Sequence, residues 1–321
     1  MSISVDDSFL DPASASDELA EDARAGLTAI AKYLPPRWFY DARGSELFEQ
    51  ITELPEYYPT RTEAQILRAH ADDIAAAAPV ETVIELGSGS STKTRLLLDA
   101  WQRAGTLRRI VTVDVSASAL AEAAIGLSAR YPAADVRPIR ADFTRHLDGL
   151  AKSGRTAVVF LGSTVGNLDP AERKAFFGGV RSALDPGDVL LLGTDLVKSE
   201  EILVPAYDDA AGVTAAFNLN VLEVLNRELD GNLPVAAFDH RAVWNPADER
   251  IEMRLRAARE IRARLSRIDL PVHFDAGEEL LTEISSKFRR DGITAELASA
   301  GLELTHWWTD PAKLFALSLS R

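Results

Sequence analysis

The run Val83–Lys93 (VIELGSGSSTK) leads from an apolar strand through two glycines to the start of a helix. So tight a crossing requires Gly87 and Gly89, because a Cβ there would block the turn or the approach of a ligand. The loop lets a ligand touch the backbone at the carboxyl end of a strand, where ligands bind in open α/β sheets. The pattern predicts a nucleotide-like cofactor and does not say which one.

Acidic residues follow the next two predicted strands. Asp114 closes the apolar run Ile110–Asp114, where a carboxylate can accept hydrogen bonds from both hydroxyls of a ribose. Asp142 can accept from an adenine amino group, and the ring of Phe143 can stack on the base. Each of these acids alone is more often a surface residue. Together, on successive strand ends, they favour a bound adenosyl group.

The glycine spacing separates two cofactor classes. A G-x-G-x-x-G dinucleotide fingerprint would place a third glycine at position 92, which is Thr92. The pattern Glu85-x-Gly87-x-Gly89 instead resembles the first motif of class I S-adenosylmethionine-dependent methyltransferases, with Ser91 where many members have another glycine. The resemblance implies S-adenosyl-L-methionine as methyl donor. A nicotinamide-dependent oxidoreductase, or a turn without a ligand, remains the alternative for the loop alone.

These residues depend on an alternation of strands and helices from about residue 80 to 196. The predicted strands are Thr82–Leu86, Ile110–Asp114, Val136–Ile139, Val158–Leu161 and Val189–Gly193, and the predicted helices are Thr92–Ala104, Ala117–Ala129 and Ala171–Leu184. Apolar β-branched runs between helices indicate a parallel sheet built from βαβ crossovers. A helix over Thr294–Ala300, stopped by Gly301, and closing strands at Glu303–Trp308 and Leu314–Ser320 are predicted to complete the sheet.

The alternation is interrupted between about residues 197 and 286. Apolar residues recur every four positions from Val213 to Leu229, which is typical of an amphipathic helix. Period-two alternation over Ile251–Arg256 and Ile268–Phe274 predicts half-buried antiparallel strands. We therefore expect an α+β substrate-binding domain formed by residues 21–60 and 197–286. It would be inserted into a Rossmann-like domain of residues 61–196 and 287–321, after a flexible N-terminus of residues 1–20.

Composition excludes several kinds of function. The 321 residues suggest roughly two domains, and a net charge of −14 disfavours a nucleic-acid partner. The chain has no cysteine, so disulfides and thiolate catalysis are excluded, and its five histidines show no spacing typical of a metal site. No apolar run approaches a membrane span, and the N-terminus lacks the features of a signal peptide. We expect a cytoplasmic protein with no metal and no membrane partner.

Longer segments carry a more specific resemblance. They are Leu34–Asp41, Gly44–Phe48, Ile51–Glu63, Leu161–Leu168, Thr194–Lys198, Ala206–Asp209 and Thr282–Phe288. These segments closely resemble the histidine-specific Nα-methyltransferases of ergothioneine biosynthesis, the EgtD family. The resemblance covers nearly the whole chain after about residue 22. It implies a monomeric enzyme with a class I methyltransferase domain and an inserted α+β domain, which trimethylates the α-amine of L-histidine to hercynine.

The resemblance also implies roles for single residues at matching positions. The methyl donor would be bound by Gly87, Lys93, Asp114, Asp142 and Phe143. L-Histidine would be bound by Tyr57, Asn167, Tyr207, Met253, Glu283 and Ser285, with Tyr40 near the reacting amine.

The chemistry of these side chains agrees with the implied roles. Asn167 and Tyr207 can donate hydrogen bonds to an α-carboxylate without adding charge. Glu283 can accept a hydrogen bond from an imidazole N–H. From the pattern alone, Tyr57 and Met253 are core residues and Glu283 lies on a solvated face. A methyltransferase for another small amine, or a cofactor-binding module without catalysis, therefore remains an alternative.

Overall fold

The computed structural model describes residues 5–9, 12–89, 91–150 and 152–321. Its helices are α1 (Pro12–Thr28), α2 (Ala42–Glu53), α3 (Tyr58–Ala77), α4 (Thr94–Arg103), α5 (Ala117–Arg130), α6 (Pro170–Ala183), α7 (Glu200–Leu203), α8 (Val213–Glu228) and α9 (Arg290–Ser299). Its strands are β1 (Lys32–Tyr33), β2 (Thr82–Leu86), β3 (Arg109–Asp114), β4 (Asp135–Arg140), β5 (Thr156–Phe160), β6 (Val189–Asp195), β7 (Phe238–Asn245), β8 (Arg250–Ala257), β9 (Ile261–Leu265), β10 (Leu270–Phe274), β11 (Glu279–Ser286), β12 (Leu304–Thr309) and β13 (Phe315–Ser320).

The chain divides into two compact units. The sheet unit comprises Met1–Leu10, Pro59–Val197 and Lys287–Arg321, and the inserted unit comprises Asp11–Tyr58 and Lys198–Ser286. The corresponding boundaries expected from the sequence follow residues 60, 196 and 286.

The flexible N-terminus expected over residues 1–20 lies partly outside the described residues, which here are 5–9 and 12–20. Helix α1 begins at Pro12. Asp6 pairs with β4, because its amide donates to the Pro138 carbonyl at 2.9 Å and its carbonyl accepts from the Arg140 amide at 2.8 Å. This acidic, small-residue stretch therefore contains a helix and a bridge to β4 that the hydrophobic pattern did not predict.

The large sheet of the sheet unit has the strand order β12-β13-β6-β5-β2-β3-β4. Strands β2 to β6 pair in parallel, and β13 lies antiparallel between β6 and β12. The order of parallel strands reverses at β2, with β3 and β4 on one side and β5 and β6 on the other. Such a switch point opens a crevice at the carboxyl end of β2, which is where the glycine loop begins.

Helices cover both faces of this sheet. Every residue of β2, β5 and β6 is buried, as expected for the centre of a parallel sheet. Successive side chains alternate between faces: Val83 packs in a cluster with Trp101 of α4, whereas Ile84 packs in another with Phe176 of α6. This alternation fixes the register, so the end of each strand lies at a defined place along the sheet edge.

The inserted unit has a sheet of order β1-β11-β8-β7 and a separate β9–β10 hairpin. Strands β7, β8 and β11 pair antiparallel, as the period-two pattern predicted for β8. Helix α2 packs against α8. A Cβ on Gly44 of α2 would lie 1.6 Å from the Phe39 carbonyl oxygen, so only glycine permits this approach.

Most predicted elements match the structure within a few residues. The predicted strands of the α/β region correspond to β2 to β6, and the amphipathic pattern corresponds to α8. Helix α9 starts at Arg290, earlier than expected, and ends before Gly301 in the left-handed conformation (φ +81°). Strand β10 starts at Leu270 because Ser266–Ile268 forms a 3₁₀ turn. Within the described ranges, no helix is long and apolar enough to cross a membrane.

Candidate active site

The glycine loop after β2 has the left-handed backbone that its sequence predicts. Gly87 and Gly89 have φ values of +63° and +46°. The amides of Gly87 and Ser88 both donate to the Val113 carbonyl of β3, at 2.8 and 3.2 Å. Ser91 also lies in the left-handed region, with φ +53°, where many class I methyltransferases have glycine. The chain therefore keeps the glycine-like conformation with a serine side chain.

A buried carboxylate ties the two ends of this loop together. Glu85 of β2 accepts hydrogen bonds from the hydroxyls of Ser91, at 2.7 Å, and Thr94. Only 5% of Glu85 is exposed. Burial raises the pKa of Glu85 to about 7, against the lowering effect of the two hydroxyls and Lys93. In the sequence, Glu85 is only one position of the glycine-loop motif, whereas in the structure its carboxylate joins the two ends of the loop.

Asp114, at the end of β3, faces the same loop. Its Oδ2 accepts from the Gly89 amide at 3.0 Å and its Oδ1 from the Ser116 amide at 2.9 Å. Burial raises the pKa of Asp114, and the backbone donors oppose that rise. Each carboxylate oxygen has further acceptor capacity, and a desolvated carboxylate gains from hydroxyl donors. The group is therefore suited to a ribose diol.

Asp142 and Phe143 follow β4 at the same sheet edge. Asp142 Oδ1 accepts from the amide and the hydroxyl of Thr144, at 2.8 and 2.6 Å, which fixes the turn. The half-buried ring of Phe143 packs 4.9 Å from the ring of Phe160, and its edge lies 3.8 Å from where a Cβ on Gly87 would be. The structure thus places Phe143 beside the glycine loop, as a stacking role requires.

Lys93 has a partner within the chain that the sequence analysis did not identify. Its Nζ forms an ion pair with Glu63 of α3, whose side chain is fully buried. The same carboxylate accepts from the Gly162 amide, at 2.9 and 3.0 Å to its two oxygens. A Cβ on Gly193 would lie 2.2 Å from Glu63 Oε1, so glycine makes room for it. Glu63 is the last residue of the segment Ile51–Glu63, and its place in that segment is the feature of the sequence that could have pointed to it.

Asn167 lies on a 3₁₀ turn, Thr164–Asn167, just after β5. Ser163 precedes the turn with φ +57°, and its Oγ accepts from the Asp195 amide of β6 at 2.9 Å. The Gly166 amide donates to the Ser163 carbonyl at 2.8 Å. The half-buried Asn167 therefore lies on a turn that hydrogen bonds of Ser163 hold in place. This turn is at the sheet edge that also carries the glycine loop.

In the inserted unit, three residues assigned to histidine binding lie together. The hydroxyls of Tyr207 and Ser285 are 2.8 Å apart, and the Tyr57 ring lies 6.2 Å from that of Tyr207, edge-on. Asp209, two residues after Tyr207, accepts from the amides of Thr214, at 2.7 Å, and Val213 at the start of α8. The chain two residues after Tyr207 is thereby joined to the start of α8.

Met253 of β8 and Glu283 of β11 are direct partners in the sheet register. They are 2% and 8% exposed, so Glu283 is a buried carboxylate, not part of a solvated face as the pattern alone suggested. The next residue, Arg254, donates to Glu252 and to Glu279, the latter at 2.6 Å, and these ion pairs occupy its guanidinium. A thioether and a carboxylate therefore lie side by side in a largely dry part of the sheet.

Tyr40 packs among aromatic rings just before α2. Its ring centroid lies 5.7 Å from those of Phe48 and Phe217, edge-on in both cases. The next residue, Asp41, caps α2 by accepting from the Gly44 amide at 2.7 Å and also accepts from Asn220 of α8 at 2.8 Å. These bonds fix the main chain beside Tyr40.

The predicted residues fall into two groups. Gly87, Lys93, Asp114, Asp142, Phe143 and Asn167 belong to the sheet unit, whereas Tyr40, Tyr57, Tyr207, Met253, Glu283 and Ser285 belong to the inserted unit. Among the described side chains, no group of three or more His, Asp or Glu could hold a metal ion.

The sheet unit defines the class of protein. A parallel sheet with one antiparallel strand near its edge, a glycine loop at the switch point and a carboxylate ending the next strand give it the fold of a class I methyltransferase. A family model described as histidine-specific methyltransferase, SAM-dependent, matches residues 19–321. The chain belongs to this family of S-adenosylmethionine-dependent, histidine-specific methyltransferases.

Named relatives of the chain are found in bacteria and fungi. Histidine N-alpha-methyltransferase from Mycolicibacterium smegmatis is 57% identical over 97% of both chains. The protein of the same name from Mycobacterium tuberculosis is 54% identical over 94% of both. Ergothioneine biosynthesis protein 1 from Neurospora crassa is 32% identical over 66% of this chain and 24% of that longer protein.

Proposed function

We propose that the protein transfers three methyl groups from S-adenosyl-L-methionine to the α-amine of L-histidine and forms hercynine. The observation that carries the substrate assignment is the buried Glu283 carboxylate beside Met253, because a desolvated carboxylate has a strong preference for an N–H donor such as that of imidazole. The names of the mycobacterial relatives support the same substrate, and the fungal relative supports a place in ergothioneine biosynthesis.

The residues of the glycine loop fit the methyl donor. Asp114 would accept the ribose hydroxyls, Asp142 the adenine amino group, and Phe143 would pack on the base. Gly87 and Gly89 keep the loop free of Cβ atoms, with open space around Gly89. When bound, S-adenosylmethionine supplies an electrophilic methyl group on a sulfonium, which an amine displaces in line.

The chain's own residues would bind and orient the amino acid. Asn167 and Tyr207 would donate to the α-carboxylate, Ser285 would support the Tyr207 hydroxyl, and Tyr57 would close the aromatic wall. Glu283 would accept a hydrogen bond from the substrate imidazole, and Met253 would pack against the imidazole ring. These contacts hold the amine in one orientation, which is the main requirement of a displacement reaction.

Proton loss precedes each transfer, because only a neutral amine has a lone pair to donate. No histidine is among the assigned site residues, so the proton would pass to water, and Tyr40 would orient the amine. The trimethylated product has no lone pair left, so the reaction stops after the third transfer. No covalent enzyme intermediate is required.

The test is a time course with L-histidine and methyl-labelled S-adenosylmethionine, followed by mass spectrometry. Mono- and dimethylated histidine should appear first and then give way to a trimethylated product. The test variant is Asn167→Asp, which sets a carboxylate against the substrate carboxylate. It should weaken histidine binding by calorimetry and leave the affinity for S-adenosylhomocysteine unchanged. A reaction that ends at one methyl group, or unaltered histidine binding in the variant, would contradict the proposal.

Two further expectations from the sequence, a monomer and a cytoplasmic location, belong to this proposal. Sedimentation velocity at enzyme concentrations used for assays would test the first. Fractionation of the producing cell would test the second.

A further inference from the structure

A hydrogen-bonded network of buried polar side chains runs through the inserted unit and has no assigned role. His240 of β7, whose side chain is 3% exposed, lies with Nε2 2.8 Å from the Tyr207 carbonyl oxygen and Nδ1 2.8 Å from Asn218 Nδ2. Asn218 of α8 is fully buried and also donates from Nδ2 to the Arg254 carbonyl at 3.1 Å. The Thr282 hydroxyl lies 2.6 Å from Asn218 Oδ1.

The hydrogen-bond partners in this network determine the protonation state of His240. The Arg254 carbonyl can only accept, so the nitrogen of the Asn218 amide must face it and the amide cannot be flipped. The same nitrogen then donates to His240 Nδ1, which acts as the acceptor. Because the Tyr207 carbonyl also only accepts, Nε2 carries the proton. His240 is therefore a neutral imidazole in one tautomer, with both ring nitrogens bonded.

The environment of His240 agrees with the neutral form. Burial lowers the pKa of His240, against the raising effect of the Tyr207 carbonyl and of the Asp208 and Asp209 charges. The ring is therefore a rigid hydrogen-bonding link rather than a charge at neutral pH.

The other end of the network is Thr282, which lies at an irregularity of β11. The register between β8 and β11 shifts between Leu281 and Glu283, so Thr282 is an extra residue in that strand. Its hydroxyl bonds Asn218 Oδ1 and also lies 3.0 Å from the Met253 carbonyl oxygen. Such bulges re-aim the side chains that follow them. The position of Thr282 therefore sets the direction of Glu283.

The network thus borders a residue assigned to substrate binding at each of its ends, Tyr207 at one and Glu283 at the other. We propose that His240, Asn218 and Thr282 are positioning residues, which hold the Tyr207 backbone and the Glu283 bulge in the geometry that binds L-histidine. The inference rests on the proposed function and deepens it. Because binding groups must be held to within about half an ångström, a buried network between them has a direct effect on substrate affinity.

The test uses two substitutions that each keep half of the His240 contacts. In H240Q the amide nitrogen can occupy the place of Nε2 and still donate to the Tyr207 carbonyl. In H240N the amide oxygen can occupy the place of Nδ1 and accept from Asn218, but the bond to Tyr207 is lost. We expect the KM for histidine to be about tenfold higher in H240N than in H240Q, with similar affinity for S-adenosylhomocysteine in both.

A second pair of variants probes the other end. T282S keeps the hydroxyl and T282V removes it at nearly constant volume, so the KM for histidine should rise more in T282V. H273N, at an exposed histidine of β10, is the matched control and should leave KM and kcat as in the wild type. Thermal unfolding of every variant separates lost stability from lost affinity.

The outcomes are distinct. Equal KM values within both pairs, or changes that follow only the melting temperature, would overturn the positioning role. Wild-type protein that does not methylate histidine would overturn the proposed function instead. That result is read from the wild type alone, before any variant is compared.

Discussion

At the scale of the residue, three of the buried glutamates differ in the groups around them. Glu85 accepts from two hydroxyls, Glu63 pairs with Lys93, and Glu283 lies against Met253. A carboxylate that is removed from water needs donors, and its donors decide its role. Glu85 and Glu63 find them within the sheet unit and shape the loop. We propose the imidazole of the substrate as a donor to Glu283, in addition to the contacts that Glu283 makes within the chain.

The role of Glu283 predicts a loss of both rate and selectivity. Glu283→Ala should lower kcat/KM for histidine by one to two orders of magnitude, since a hydrogen bond to a charged group contributes about 1.5–3 kcal/mol. Steady-state kinetics with histidine and other aromatic amino acids would measure the effect. Glu279→Ala, on the same strand and paired with Arg254, is the control and should change kcat/KM little. Selectivity that is unchanged in Glu283→Ala would contradict the assigned role.

At the scale of the element, the glycine loop shows what a local sequence can predict. Gly87, Gly89 and Asp114 were identified because their spacing and the flanking strands define the turn, and the structure places them together. Glu63 and His240 were missed as site residues, because their contacts join positions far apart in sequence. The bulge at Thr282 was missed because a period-two pattern gives no sign of one extra residue.

The clamp on this loop predicts a dependence of stability on pH. The pKa of Glu85 is raised from 4.5 to about 7 in the folded chain. The folded state therefore binds the proton more tightly than the unfolded state. This contribution to the free energy of unfolding is fully present below pH 4.5 and is lost as the pH rises through 7. Its size is on the order of 3 kcal/mol.

Chemical denaturation of the wild type and Glu85→Gln between pH 4.5 and 8 would measure this contribution. The difference in unfolding free energy between the two proteins should move in favour of the variant as the pH rises, because glutamine does not ionise. Asp114 remains in both proteins, so only the part of its titration that depends on the Glu85 charge enters the difference. A pH-independent difference would show that Glu85 does not titrate in this range.

At the scale of the whole molecule, the inserted unit interrupts the sheet unit between Val197 and Lys287. The two chain ends at this interruption are paired, since the Phe288 amide donates to the Asp195 carbonyl at 2.8 Å and the Val197 amide to the Phe288 carbonyl at 3.1 Å. Lys287 and Asp195 add an ion pair of 2.9 Å, with both side chains buried. The sequence pattern predicted an interruption near these positions, but it gave no sign of this ion pair.

This ion pair predicts a strong asymmetry between single and double substitutions. Lys287→Met should destabilise the fold by about 3–5 kcal/mol, because it leaves the Asp195 charge buried without its cation. The double variant Asp195→Asn with Lys287→Met should recover much of that loss. Urea unfolding of the wild type, both single variants and the double variant would measure the coupling. Additive effects would show that the pair does not act as a unit.

The most direct test of the whole account is a competition among substrates. The protein would be incubated with S-adenosylmethionine and an equimolar mixture of the common amino acids, and the products identified by mass spectrometry. The account predicts stepwise addition of three methyl groups to histidine and none to the others. Methylation of a different amino acid would keep the fold and the donor site but contradict the roles of Glu283 and Met253. No methylated product, with S-adenosylhomocysteine still bound, would contradict the proposed function as a whole.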